Sequence, residues 1–215
     1  MSQVARTASQ PDVSFYRFKP WFVLVLEPIR RLLEERGVSP TMVTMAAIPV
    51  EVAVALLLVA GTNESWLLTL VPVFALCWMG LNALDGSLAR STGRITVRGA
   101  VLNELVDRLG DVLLIAAAAF VVPVPLAAGL AISVLGSELV AAVGWATTGR
   151  RDFAGPMGKP DRAAVIAVGA MVAVVWPDAL IAAMALIAIG SAIGVGVRGH
   201  SVLSRARSLD AGDRR

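Results

Sequence analysis

The sequence predicts an all-α integral membrane protein with six transmembrane helices, an amphipathic interfacial helix before them, and both termini on the cytoplasmic side. Three observations carry this expectation. The first is composition. Of 215 residues, 57% are hydrophobic and only 16% are charged, where soluble domains carry about 25% charged residues. The mean hydropathy is +0.75. A disordered chain has the opposite balance, and a soluble globule of this make-up lacks the polar residues to cover its surface. The second observation is a series of apolar runs, each near the ~20 residues that a bilayer core requires. The third is the placement of lysine and arginine relative to those runs. Cys77 is the only cysteine and His200 the only histidine, so an intrachain disulfide and a Cys- or His-based metal centre are excluded.

Residues 1–18 are polar and mixed, and are read as a cytoplasmic tail without a cleavable signal peptide. Residues 19–37 are read as an amphipathic juxtamembrane helix. Phe22, Leu26, Ile29 and Leu33 recur at helical spacing, while Glu27, Arg30, Arg31, Glu34 and Glu35 take the other face. Gly37 ends that helix, and Pro40 suits the first turn of the next. Residues 38–199 hold the six spans. They are expected at about Thr41–Ala60, Ser65–Ala89, Val97–Val122, Leu126–Thr148, Ala163–Trp176 and Ala179–Val197. Pro123, Pro125 and Pro177 break the runs between them. Residues 200–215 are read as a second cytoplasmic tail.

The loops after spans one, three and five (61–64, 123–125 and 177–178) contain no Lys or Arg. All 19 basic residues lie in the tails, in the loops after spans two and four, or at the cytoplasmic ends of spans. The positive-inside rule therefore places both termini in the cytoplasm of an inner-membrane protein. It also accounts for the pI near 9.7 without nucleic acid, since these residues set orientation and attract anionic headgroups.

Charge inside a span is costly, so polar residues there are candidates for function. Asn82, Asp85 and Arg90 sit at the cytoplasmic end of span two. Asn103, Glu104, Asp107, Arg108 and Asp111 sit in the cytoplasmic half of span three. Asn82, Asp85 and Ala89 share one helical face, as do Asn103, Asp107 and Asp111. A short loop makes the two spans antiparallel neighbours, so the two faces meet in one cleft. Oxygen donors without His or Cys suit a hard cation such as Mg²⁺ or Mn²⁺. The competing structural role is pairing of Asp107 and Asp111 with Arg90, Arg98 or Arg108. Glu51 and Glu138 lie mid-membrane, and either helix contacts or a substrate cavity accommodate them.

Residues 82–107, NALDGSLARSTGRITVRGAVLNELVD, resemble the signature of the CDP-alcohol phosphotransferases, DxxDGxxAR followed by GxxxDxxxD. Asp85, Gly86, Ala89, Arg90, Gly99 and Asp107 match it in type and spacing. The upstream GVSPTMVTMA is similar to the family's GxxPNxVT segment, with Thr44 as its threonine. Two positions depart: the family's first and third aspartates are Asn82 and Asn103 here. The resemblance implies a transferase of phospholipid biosynthesis. A CDP-linked lipid such as CDP-diacylglycerol gives its substituted phosphate to an alcohol, and CMP leaves. It implies one or two Mg²⁺ or Mn²⁺ ions held by Asp85, Asp107 and Asp111, with Asn82 and Asn103 as neutral ligands. Asp107 is the implied catalytic base. Asn82, Asp85, Gly86, Ala89, Arg90 and Gly99 would bind the cytidine diphosphate, and a homodimer is implied as well.

Two roles fit Lys159 and Arg162 equally, binding of an acceptor phosphate and setting of topology. For Arg150 and Arg151 the topological role is favoured. Two further readings stand beside the enzyme. The Asn substitutions suit an inactive CDP-lipid-binding homologue, and Glu51 and Glu138 are the features that suit a small transporter.

Overall fold

The structure is a computed structural model that describes residues 19–149, 152 and 154–212. Among these every regular element is helical: α1 (Lys19–Val25), α2 (Glu27–Glu35), α3 (Pro40–Ala60), a 3₁₀ turn (Ser65–Leu70), α4 (Val71–Ser91), α5 (Val97–Val121), α6 (Val124–Thr148), α7 (Lys159–Ala173) and α8 (Ala179–Gly212). The tail 1–18, Arg150 and Arg151 lie outside the described residues. Four stretches are long and apolar enough to cross a membrane: Pro40–Ala60, Ser65–Ser91, Val124–Thr148 and Ala179–Ala211. The protein is therefore a membrane protein. The remaining two long helices differ for visible reasons. α5 carries its charges in its first half, and α7 is only 15 residues long.

Local chemistry sets the ends. Ser39 caps α3, its Oγ accepting from the Met42 amide at 3.2 Å, with Pro40 in the first turn. Thr96 caps α5 in the same way, accepting from the Gly99 amide at 3.0 Å. Gly93 follows α4 with φ +65°. The Arg94 amide reaches back to the Ala89 carbonyl at 3.0 Å and the Gly93 amide to that of Arg90, a Schellman closure that favours glycine at this position. This turn reverses the chain between α4 and α5. Gly93→Ala should therefore lower thermal stability by about 1 kcal/mol, read as a shift in the unfolding midpoint in detergent.

The segment expected as one interfacial helix is divided at Leu26. Pro28 is the cause, since it has no amide hydrogen to bond back along α1 and suits the first turn of α2. Leu26 and Leu33 pack on a small cluster of Val43, Leu84 and Leu88, so this segment docks on α3 and α4. Ile29 is turned outward, 47% exposed, as expected for a residue facing acyl chains. Glu27 bonds Arg30 and Arg31 at 2.7–2.8 Å, and these guanidiniums, Arg30 foremost, hold its carboxyl down at about 2. A lowered carboxylate pKa means a contribution present in full above the ordinary value of 4.5 and lost as pH falls through about 2. The Glu27 ion pairs should therefore survive acidification to pH 4, and the Glu27 carboxyl carbon resonance should titrate well below that of a free glutamate.

In the bundle α3 lies between α4 and α5, α6 packs along α8, and α7 bridges α4 and α8. The main core (Leu58, Leu68, Val71, Ala118, Leu130, Val134, Ala170, Met184, Ile187) gathers the last turns of α3, α5 and α7 with the first turns of α6 and α8. That end of the bundle is apolar. The opposite end is held by charge. α7 begins at Lys159, earlier than its apolar run, and α8 continues as helix to Gly212, so residues 200–212 are not an irregular tail.

Candidate active site

At the polar end the two halves of the motif are joined directly. Asp85 is buried, 5% exposed, on α4. Asn103 on α5 donates Nδ2 to Asp85 Oδ2 at 2.6 Å, and Thr44 on α3 donates Oγ1 to the same oxygen at 2.9 Å. Asp85 thus ties three helices together, and the threonine of the upstream segment is one of its anchors. Asn82 lies one turn deeper than Asp85 on α4, and its Oδ1 is buried with no hydrogen-bond partner among the described residues. Asp107, one turn deeper than Asn103 on α5, lies within electrostatic reach of Asp85.

Ala89 and Gly99 stand one turn nearer the α4–α5 connection than Asp85 and Asn103. Gly86 and Gly99 are half-buried and Arg90 is exposed. A Cβ at Gly86 would stand 3.4 Å from Arg90 Nη1, an ordinary van der Waals contact, so Arg90 passes close by Gly86. Of the positions matched to the family signature, Asp85 is joined to α5 through Asn103, and Asp107 lines a charged cavity.

Lys159, at the first turn of α7, reaches Asp107 from a third helix. Its Nζ bonds Asp107 Oδ1 at 2.5 Å and lies 5.0 Å from the centroid of the Trp78 ring. Beside it is a cavity of about 70 Å³ walled mainly by charged groups, among them Asp107, Arg108, Asp152, Lys159 and Arg198.

Arg162 sits elsewhere. It is 3% exposed, and its Nη2 bonds Asp111 Oδ1 at 2.7 Å and Glu138 Oε1 at 3.1 Å. Arg108 bonds the other oxygens of the same two acids, at 3.1 and 2.5 Å, and also Glu104 at 2.6 Å. Arg198 completes the group. It lies 3.8 Å from Glu138 and bonds Ser137 Oγ at 2.8 Å and the Ala154 carbonyl at 3.1 Å. Three acids on α5 and α6 thus meet three arginines on α5, α7 and α8, and the charges balance. This network is the part of the site that sequence reasoning missed. Its ion pairs between helices join residues 24 to 60 positions apart, so no local spacing announces them. Pairing of Asp111 with Arg108, by contrast, was legible as a one-turn contact.

The donor set at the cleft suits a hard cation. Among the described residues no three acidic, histidine or cysteine side chains converge on one point. The oxygen donors near Asp85 are mixed in kind: its own carboxylate, that of Asp107 within electrostatic reach, and the side-chain amides of Asn103, bonded to Asp85, and Asn82, one turn along α4. Carboxylate and carbonyl oxygens are the ligands that Mg²⁺ and Mn²⁺ take.

Residues 38–196 match the family model described as CDP-alcohol phosphatidyltransferase. The inner membrane protein YnbA of Escherichia coli is 30% identical over 168 residues, covering 77% of this chain and 83% of that protein. The crystal structure of Mycobacterium tuberculosis phosphatidylinositol phosphate synthase with manganese and citrate superposes with a TM-score of 0.66. It is 29% identical, covering 82% of this chain and 88% of that one. The same synthase with CDP-DAG bound gives a TM-score of 0.63 at 29% identity, over 81% of this chain and 92% of that one.

Proposed function

The chain belongs to the CDP-alcohol phosphatidyltransferase family, and from that premise we propose that it transfers the phosphatidyl group of CDP-diacylglycerol to a phosphorylated polyol at the α4–α5 cleft, releasing CMP. The observation that carries this reading is the joining of Thr44, Asp85 and Asn103 by hydrogen bonds across three helices, with Asp107 within electrostatic reach of Asp85 and lining a charged cavity. The synthase that was crystallised with CDP-DAG and with manganese supports the same donor and a divalent cation here.

In this reading Gly86, Ala89 and Gly99 let the cytidine diphosphate approach both helices closely, and Arg90 meets its phosphates at the mouth. Asn82, Asp85, Asn103 and Asp107 would hold a divalent cation, whose charge would neutralise the diphosphate. Asp111 is proposed to serve that site from one turn deeper. Both its oxygens are engaged by arginines, so it fixes the position of α7 against α5. Asp107 accepts the proton of the acceptor hydroxyl as that oxygen attacks the lipid-linked phosphorus and the bond to CMP breaks. The protein contributes position and charge, as in phosphoryl transfer generally.

Lys159 is proposed to face the acceptor, since it lines the charged cavity beside Asp107. Arg162 is enclosed by Asp111 and Glu138 and holds the wall. The inactive-homologue reading is favoured by the two Asn substitutions alone. The transporter reading is weakened because Glu138 is matched by arginines.

We further propose that all six long helices span the inner membrane, with the site and both termini cytoplasmic. Residues 38–199 then form the catalytic unit, residues 19–37 a docked interfacial segment, and residues 1–18 and 200–215 the cytoplasmic ends. α5 is about 38 Å long at 1.5 Å per residue, enough to cross with its charges toward one surface. A homodimer belongs to the same proposal.

The acceptor class is tested by supplying purified protein in lipid with CDP-diacylglycerol, Mn²⁺ and matched polyols with and without a phosphate. Labelled lipid product should form from the phosphorylated acceptors. Product from the unphosphorylated polyols alone would overturn the assignment of the charged cavity.

A further inference from the structure

Of the two acids deep in the spans, Glu138 is matched by arginines and Glu51 is not. Glu51 on α3 is 5% exposed, and among the described residues neither carboxylate oxygen has a partner in hydrogen-bond geometry, the indole N–H of Trp78 being its polar neighbour. It lines a cavity of about 60 Å³ whose other walls, Leu58, Leu114 and Ile166 among them, are mostly apolar. An ionised carboxylate in such surroundings is costly, so Glu51 is accommodated there either as the neutral acid or beside a cation.

The carboxyl group lies against the backbone of α5. A Cβ at Gly110 would fall 2.5 Å from Glu51 Oε1 and 2.7 Å from Cδ. Gly110 follows Asp107 by three residues, so the two carboxylates stand about one helical turn apart along α5. Lys159 serves both. Its ammonium bonds Asp107, lies over the ring of Trp78, and is within electrostatic reach of Glu51. Trp78 itself lines the Glu51 cavity. Arg162 lines it too, but its guanidinium is committed to Asp111, Glu138 and the Met157 carbonyl.

We propose that Glu51 is a positioning residue that receives the Lys159 ammonium when a divalent cation takes Asp107. The inference rests on the reading of Asp107 as a cation ligand. An ammonium at 2.5 Å and a metal ion compete for the same carboxylate. With asparagine at 82 and 103, Asp85 and Asp107 are the only carboxylates in the proposed ligand set. While Lys159 stays on Asp107, half of that negative charge is already neutralised. Moving the ammonium to Glu51 restores it for the cation, keeps the lysine charge paired, and balances Glu51. The path runs across the face of Trp78, which attracts cations throughout. The move also clears the Asp107 end of the charged cavity for the acceptor hydroxyl.

The test is Mn²⁺ binding to the full-length protein in nanodiscs without substrate, followed by electron paramagnetic resonance. Glu51→Gln keeps the shape and removes the counter-charge. It should weaken Mn²⁺ affinity about tenfold, within the usual range for coupled sites. Lys159→Met removes the competitor and should tighten Mn²⁺ binding. In that background Glu51→Gln should have no effect. Unchanged affinity in Glu51→Gln, or an equal loss with and without Lys159, overturns the inference and leaves the cation site standing. Unchanged Mn²⁺ binding in Asp107→Asn overturns the site reading and the inference together. The Lys159→Met comparison decides alone if Glu51→Gln fails to fold, because affinity that does not tighten removes the competition on which the proposal depends.

Discussion

Asp107→Asn should reduce CMP release by about 10³-fold, the middle of the range that a positioned general base contributes, while the protein still folds. The substitution keeps the size of the side chain and removes its charge. The amide can neither take the acceptor proton nor balance the Lys159 ammonium that now sits 2.5 Å from Oδ1. Asp107 is half-buried at the edge of the charged cavity, so water reaches it and the unfolding midpoint should move little. Asp85→Asn has a different expected balance. Asp85 receives bonds from Thr44 and Asn103 and joins three helices, so that change should lower activity and stability together. Comparing the two variants separates loss of chemistry from loss of the cleft.

Arg162→Leu should be the most destabilising single change in the polar half, at about 3–5 kcal/mol, because it strips a partner from buried acids. Arg162 is 3% exposed, and Asp111, also 3% exposed, loses one of its two guanidiniums. Glu138 loses another. Arg162→Lys should recover part of the loss, since an ammonium supplies the charge without the planar fork that reaches both acids. Adding Asp111→Asn to Arg162→Leu should also recover stability, by removing the orphaned charge. Thermal unfolding in a single detergent checks all three. A fully stable Arg162→Leu would mean that the arginine group is not what holds α7 to α5 and α6.

What the sequence revealed and what it hid follow from the range of the interactions. Helix positions were legible because apolar runs, prolines and caps act within a few residues; Pro40 begins α3 as its place suggests. The α4 and α5 faces were legible because residues three and four apart share a side of a helix. Asn82 with Asp85, and Asn103 with Asp107, needed no tertiary knowledge. The break at Leu26 was signalled by Pro28 and overridden by the regular apolar spacing around it. The early start of α7 was hidden because Lys159, Pro160, Asp161 and Arg162 do not read as membrane residues, although they form its first turn. The arginine network was hidden more deeply. Which arginine meets Glu138 depends on the packing of α6 against α8 and of α7 against α5, and a single sequence carries no local trace of that choice. Glu51 and Glu138 looked alike for this reason. The structure separates them, one balanced by arginines and the other facing an apolar cavity.

The central claim is that the α4–α5 cleft transfers a phosphatidyl group despite asparagine at two acidic positions of the family signature. The most direct measurement is CMP release by the full-length protein in liposomes of CDP-diacylglycerol, with a polyol phosphate, in Mn²⁺ and in chelator, beside Asp107→Asn. The account predicts CMP release that requires the acceptor, stops in chelator and is lost in the variant. CDP-diacylglycerol binding that depends on the cleft, with no CMP released by the wild-type protein in Mn²⁺, would contradict it and make the chain a binding homologue.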